Sequence, residues 1–188
     1  AARPYTERFN AVMAGLASAA AGSPTAPRLL RGTGADKVHL LVVMTGERGL
    51  CGGFNSSIAK LARQTAEALV RDGKTVKILT VGRKGRDSLK RDWGQAFIGH
   101  VDLSEVRKLG YSNAQAIARD ILSRFEGGEF DVATIFFNRF QSVISQIPTA
   151  TQIIPAAFES EAGASSLYDY EPGEDAILAD LLPRGVAT

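Results

Sequence analysis

What this chain lacks narrows its possibilities. Its 188 residues include one cysteine, Cys51, so an internal disulfide is excluded and a reducing compartment suits it. Only two histidines exist, His39 and His100, neither near Cys51 in sequence, and a transition-metal site is not expected. No apolar run approaches the roughly 20 residues that span a bilayer. The opening AARPYTERF carries neither an initiator Met nor the apolar stretch of a secretory signal, so the chain is expected to begin inside a longer gene product.

What is present is ordinary for a globular domain with a real core: 45% apolar and 22% charged residues. The net charge of +2 hides an asymmetry. Residues 83–92 hold five bases (Arg83, Lys84, Arg86, Lys90, Arg91) against Asp87 and Asp92. Residues 155–188 hold seven acids against Arg184 alone. Segregated charge can steer a partner, and it can equally be a solvated helix face and an acidic tail.

Along the chain, Phe9, Val12, Met13, Leu16 and Ala20 repeat at helical spacing, and Gly22, Pro24, Pro27, Gly32 and Gly34 then interrupt. VHLLVVM (38–44) reads as a strand covered on both faces. A glycine-rich turn, TGERGLCGG, follows. A helix over 54–71 has Phe54, Ile58, Leu61, Ala62 and Leu69 on one face, with Asn55 and Ser56 as candidate caps. VKILTV (76–81) is a second buried strand, 83–92 a short basic helix, and Phe97-Ile98 a brief strand. Ser112 and Gln115 match a capping box opening a helix whose stripe is Ala114, Ile117, Ala118, Ile121, Leu122 and Phe125. VATIFF (132–137) is another strand. In 140–154, rich in β-branched residues, Pro148 cannot donate to a ladder, which places one strand or a bent pair at a sheet edge. Residues 155–170 read as a loop, and EPGEDAILADLLPR starts a new helix with Pro172 near its first position. Pro183 predicts a kink or a late start in it.

Alternating strands and helices predict an α/β, Rossmann-like, mostly parallel sheet with helices on both faces. The expected organisation is a helix end over 1–21, a linker over 22–36, the globular domain over 37–158, a loop over 159–170 and a helix start over 171–188. Both ends read as truncated helices that would suit an antiparallel pair.

The glycine turn after the first strand is where a doubly wound domain binds phosphate. Yet Gly46, Gly49, Gly52 and Gly53 do not give G-x-G-x-x-G, no Lys-Ser/Thr pair follows, and Thr80-Val81-Gly82 offers no acid for a ribose. No cofactor is expected. Cys51 has no adjacent base and reads as a small packed residue. His39, inside an apolar strand, reads as a satisfied core histidine. Arg48 could meet an acidic partner or be solvated, and Tyr168 and Tyr170 could anchor a loop or form a binding edge. Trp93 beside the basic run is too little aromatic surface for nucleic-acid binding. A small nucleotide-binding or enzymatic domain using residues 45–53 stays open as the rival reading, and no catalytic constellation is visible.

The stretch Thr45 to Asn55, with RGLCGG and its Asn, resembles the signature of the gamma subunits of F-type ATP synthases. VISQIPTATQIIP (143–155) and LYDYEPGEDAILADLLPR (167–184) fall in that family's order, and ARPYTERFNAVMAGLA resembles the end of its first long helix. The resemblance covers essentially the whole chain. It implies a non-catalytic central-stalk subunit that transmits torque between the membrane c ring and the catalytic head. Its helical ends belong to an antiparallel coiled-coil axle, most of which is missing here. The implied partners are the epsilon subunit, the c-subunit ring, and the catalytic and non-catalytic head subunits. The implied contacts are Arg48 and Gly49 towards the head, and Tyr168, Tyr170 and Glu171 towards the ring. The implied place is peripheral to a membrane, on the cytoplasmic face in a bacterium or the matrix face in a mitochondrion. The cysteine-bearing insertion of the chloroplast form is lacking, so thiol switching is not expected.

Overall fold

A computed structural model describes residues 4–21, 24, 26–46, 54–103, 111–142 and 145–155. Helix α1 (Pro4–Ala20) and a short α2 (Ala26–Arg31) precede β1 (Val38–Met44). Then come α3 (Phe54–Arg71), β2 (Thr75–Val81), α4 (Arg83–Trp93), a 3-10 turn (Gly94–Ala96) and β3 (Phe97–Val101). Helix α5 (Tyr111–Glu126) and strands β4 (Val132–Ser142) and β5 (Ser145–Ile154) complete the described part.

The strands form one sheet in the order β3-β2-β1-β4-β5. The first four run parallel, with Val38 opposite Thr75 and Val43 opposite Phe136, while β5 is antiparallel to β4. The apolar run of β1 splits between two faces because strand side chains alternate. Leu40, Val42 and Met44 join α1, α2 and α5 through Val12, Leu16, Leu30, Ile121 and Phe125. Leu41 and Val43 join α3 and α4 through Ile58, Ala62, Ala66 and Leu89. Both faces of β1 are therefore dry, as its composition requires.

The α5 stripe expected from sequence is buried at every position. It packs against α1 at Gly15, where an added Cβ would lie 3.1 Å from Ala118 Cβ and 3.2 Å from the Ala114 carbonyl oxygen. Phe9 stacks on Phe137, ring centroids 4.4 Å apart, fastening α1 to β4.

Some expectations change in detail. The stretch 22–36 contains α2, whose Ala26, Leu29 and Leu30 are buried, so part of it belongs to the core. Residues 140–142 extend β4, and only 145–154 form the edge strand. The Phe97-Ile98 strand runs on to Val101. Helix α5 already contains Tyr111, so Ser112 lies inside it, and the Gln115 side-chain oxygen Oε1 accepts from the Arg119 guanidinium at 3.4 Å. Helix α3 already contains Phe54, so Asn55 and Ser56 sit within its first turn. His39 is partly buried at the sheet's amino-terminal end, where its ring meets Asp36. The expected loop over 159–170 and helix over 171–188 lie outside the described residues.

Candidate functional site

The carboxyl ends of β1 and β4 mark the point where strand order reverses, the usual ligand crevice of doubly wound sheets. Here β1 ends at Met44 and leads through Thr45 and Gly46 into the glycine turn. Arg48, Gly49 and Cys51 of that turn lie outside the described residues, as do Tyr168, Tyr170 and Glu171, so the two expected contact groups are not brought together by any described geometry.

The root of the turn is well defined. Thr45 is fully buried. Its backbone N–H donates to Val81 of β2 at 2.8 Å, and its hydroxyl oxygen accepts from the Gly85 N–H of α4 at 2.7 Å. The carbonyl oxygen of Gly46 accepts from the Lys84 N–H at 3.0 Å. Helix α4 has Gly82 at its N-cap and no side-chain cap of its own. Two of its free amides are thus capped by a segment nearly forty positions upstream. Two of the amides that an anion would use at that helix end are therefore taken by the protein itself.

This fit requires two glycines. Gly82 has φ +96°, and a Cβ there would lie 2.1 Å from the Thr45 carbonyl oxygen. A Cβ on Gly85 would lie 3.0 Å from the Thr45 hydroxyl oxygen. Sequence reading missed Thr45. The available signal was a glycine where α4 needs a cap, with no Ser, Thr, Asp or Asn beside it, which demands a cap from elsewhere.

At the next level of β2, where a dinucleotide-binding fold would present an acid, the buried Thr80 hydroxyl bonds His100 Nδ1 at 2.6 Å. On β4, Asn138 is fully buried with both side-chain polar atoms unpartnered. It shares a sheet face with Phe136, two positions away, and so faces the α3 layer. Among the described residues, no group of three His, Cys, Asp or Glu could hold a metal ion, and no helix is long and apolar enough to cross a membrane.

The basic helix α4 is partly neutralised. Arg86 and Lys90 lie 3.6 and 3.8 Å from Asp87, and Arg63 of α3 lies 3.7 Å from Asp92. Arg63 also donates to the Ser88 carbonyl at 2.7 Å, cross-linking α3 to α4. At the opposite end of the sheet, Asp131 accepts from the Thr33 hydroxyl and from the amides of Lys37 and Val38 at 2.8 to 3.0 Å. These bonds, the Val38 amide first, hold its carboxyl below the usual range against the opposing effect of burial.

The family model described as ATP synthase matches residues 1–188. An ATP synthase gamma chain of Dinoroseobacter shibae is 74% identical over 189 residues, and one of Cereibacter sphaeroides is 72% identical over 188. Each match covers 100% of this chain and 65% of the relative, so the chain spans about two thirds of those proteins' length. Two solved structures share the fold. The central stalk and c-ring structure of Tetrahymena thermophila mitochondrial ATP synthase aligns with TM-score 0.56 and 23% identity, over 94% of this chain and 91% of that one. The rotor of Euglena gracilis mitochondrial ATP synthase aligns with TM-score 0.52 and 16% identity, over 94% and 76%. With every residue inside the family match and identities above 70%, this chain belongs to the ATP synthase gamma-chain family.

Proposed function

We propose that the protein containing this chain is the rotor subunit of an F-type ATP synthase, and that it carries torque between the membrane c ring and the catalytic head while catalysing nothing itself. The observation that carries the reading is the family match along the whole chain, at 74% identity to a gamma chain. The geometry is compatible with the mechanical part. Transmitting torque needs a stiff body, and here the sheet is covered on both faces and the root of the glycine turn is bonded to two other elements.

In this reading, residues 1–21 and 171–188 belong to the axle and 37–158 to the body beside it. Arg48 and Gly49 meet the catalytic head, with Arg48 pairing an acidic partner. Tyr168, Tyr170 and Glu171 rest on polar loops of the c ring. Two tyrosines give broad, stiff contact at low rotamer cost, and an exposed ion pair adds only roughly 0.2–1 kcal/mol, so several contacts share the load. The epsilon subunit binds the body. The assembly lies peripheral to the membrane, on the cytoplasmic face in a bacterium, as the bacterial relatives favour.

Two variants of the full-length protein in the assembled enzyme test it. Arg48→Glu is expected to weaken coupling between proton flow and ATP synthesis at an unchanged melting temperature. Tyr170→Ala with Glu171→Lys is expected to loosen attachment to the membrane ring, again without a thermal shift. Unfolding by either variant, with attachment and coupling intact in what remains folded, would make these residues structural and defeat the contact assignments.

A further inference from the structure

We propose that the outer end of the β4–β5 ribbon, Asn138 to Ser142 paired with Ser145 to Pro148, is a flap that opens by itself while the sheet behind it stays closed, and that Asn138 biases it open. The flap goes beyond the rotor reading and does not depend on it.

β1 pairs with β4 only as far as Val43 and Phe136. Beyond that level, among the described residues, β4 is paired with β5 alone. A two-stranded ribbon without further support is marginally stable in water. Phe137 is still anchored by its stack on Phe9. The next rung is the weak one. Asn138 stands opposite Pro148, which has no N–H, so this rung carries at most one ladder bond. One rung further out, Arg139 faces Ile147, and both are exposed. The Thr149 hydroxyl donates to the Ile147 carbonyl oxygen at 2.9 Å, an alternative to the ladder for that carbonyl. The register also shifts between Phe140 and Ser142. The ribbon beyond Asn138 is thus lightly held.

The same rung carries a cost that only the closed state incurs. Asn138 is fully buried, and neither its Nδ2 nor its Oδ1 has a hydrogen-bond partner. A buried polar group left unpaired is costly, and water relieves that cost once the strand lifts. Its own face of β4 is apolar, since Phe136 clusters there with Ile58 and Ala62 of α3. Relative to an apolar residue of the same shape, the asparagine therefore favours opening. The carboxyl end of the β4–β5 edge becomes the part of the body that can change shape without disturbing the sheet.

Plain fraying of a hairpin end is the competing explanation, and it makes no use of Asn138. The test compares the parent, Asn138→Leu and Asn138→Asp, each in the full-length protein assembled into ATP synthase. The readout is amide hydrogen exchange, followed by mass spectrometry at single-residue resolution. Leucine keeps the branch at Cγ and removes both polar atoms. In the parent, the amides that cross-pair β4 with β5 beyond Asn138 are expected to exchange at least roughly tenfold faster than those of residues 133–136. Asn138→Leu is expected to slow the outer amides at least roughly fivefold, the equilibrium factor of the smallest cost of an unpaired buried polar group, and to leave 133–136 unchanged. Asn138→Asp is expected to speed them, because a charge favours the hydrated state more strongly than an amide does. Equal exchange on both sides of the rung would overturn the flap. Fast outer exchange that Asn138→Leu leaves alone or hastens would be plain fraying and would overturn the proposal. Should Asn138→Leu fail to assemble, Asn138→Val is read the same way. Failure of both to assemble would assign the amide to folding and overturn the proposal.

Discussion

Asp131 ties the loop before β1 to the start of β4, accepting a hydroxyl from Thr33 and two backbone amides from Lys37 and Val38. Because its folded-state carboxyl titrates below the unfolded value of about 3.9, it stabilises the fold above that pH, and the contribution is lost as pH falls through the lower folded value. Asp131→Asn is expected to cost about 1–2 kcal/mol near neutrality, since an amide cannot accept all three bonds. Its acid-unfolding profile should also flatten below about pH 4 relative to the parent. Denaturant titrations at neutral and acid pH check both effects. An unchanged acid profile would remove Asp131 from the account. Gly82 makes the other sharp case. Gly82→Ala places a Cβ 2.1 Å from the Thr45 carbonyl oxygen at a φ that L side chains rarely adopt, and the expected loss is about 3 kcal/mol or more, read by denaturant midpoint. Neither role was legible in sequence, because both partners lie more than 35 positions away and neighbouring residues carry no trace of them.

Among the elements, α5 shows what periodicity conveys. Its six-residue apolar stripe is wholly buried because one helical face meets both α1 and the sheet. What periodicity does not convey is where a helix starts, since that depends on bonds from outside. Ser112 and Asn55 looked like caps but lie inside α5 and α3. The edge strand was legible through Pro148, which lies on β5 opposite Asn138. The hairpin's division was not, because Phe140 to Ser142 carry no turn signal that separates them from β4. At the α1–α5 crossing, Gly15 permits close approach. Gly15→Leu is expected to force the helices apart and cost about 1–3 kcal/mol, lowering the melting temperature by several degrees. A melting temperature equal to the parent's would mean that α1 is not held against α5 in solution.

For the whole molecule, the string RGLCGGFN and the YEP segment carried the family assignment, while patterning alone reached only a Rossmann-like domain. Spacing did not single out Arg48 or Tyr168, because a contact with another chain leaves no periodic mark in the sequence that makes it. The crevice at the strand-order reversal keeps one chemical question answerable. Titration calorimetry with nucleotides, dinucleotides and phosphate is expected to show no tight binding, since the glycine turn has neither a G-x-G-x-x-G nor a Lys-Ser/Thr pattern and two of the amides at the start of α4 are already bonded to Thr45 and Gly46. Micromolar binding of any of them, lost on Asn138→Leu, would favour the nucleotide-binding reading. The central claim is mechanical, and rotation tests it most directly. The full-length protein with Cys51→Ser and Val70→Cys takes a bead at residue 70, which is 49% exposed on α3. With the catalytic head fixed to a surface, the bead is predicted to turn in one direction while ATP is present and to stop when it is exhausted. ATP hydrolysis that continues beneath a stationary, intact bead would contradict the account.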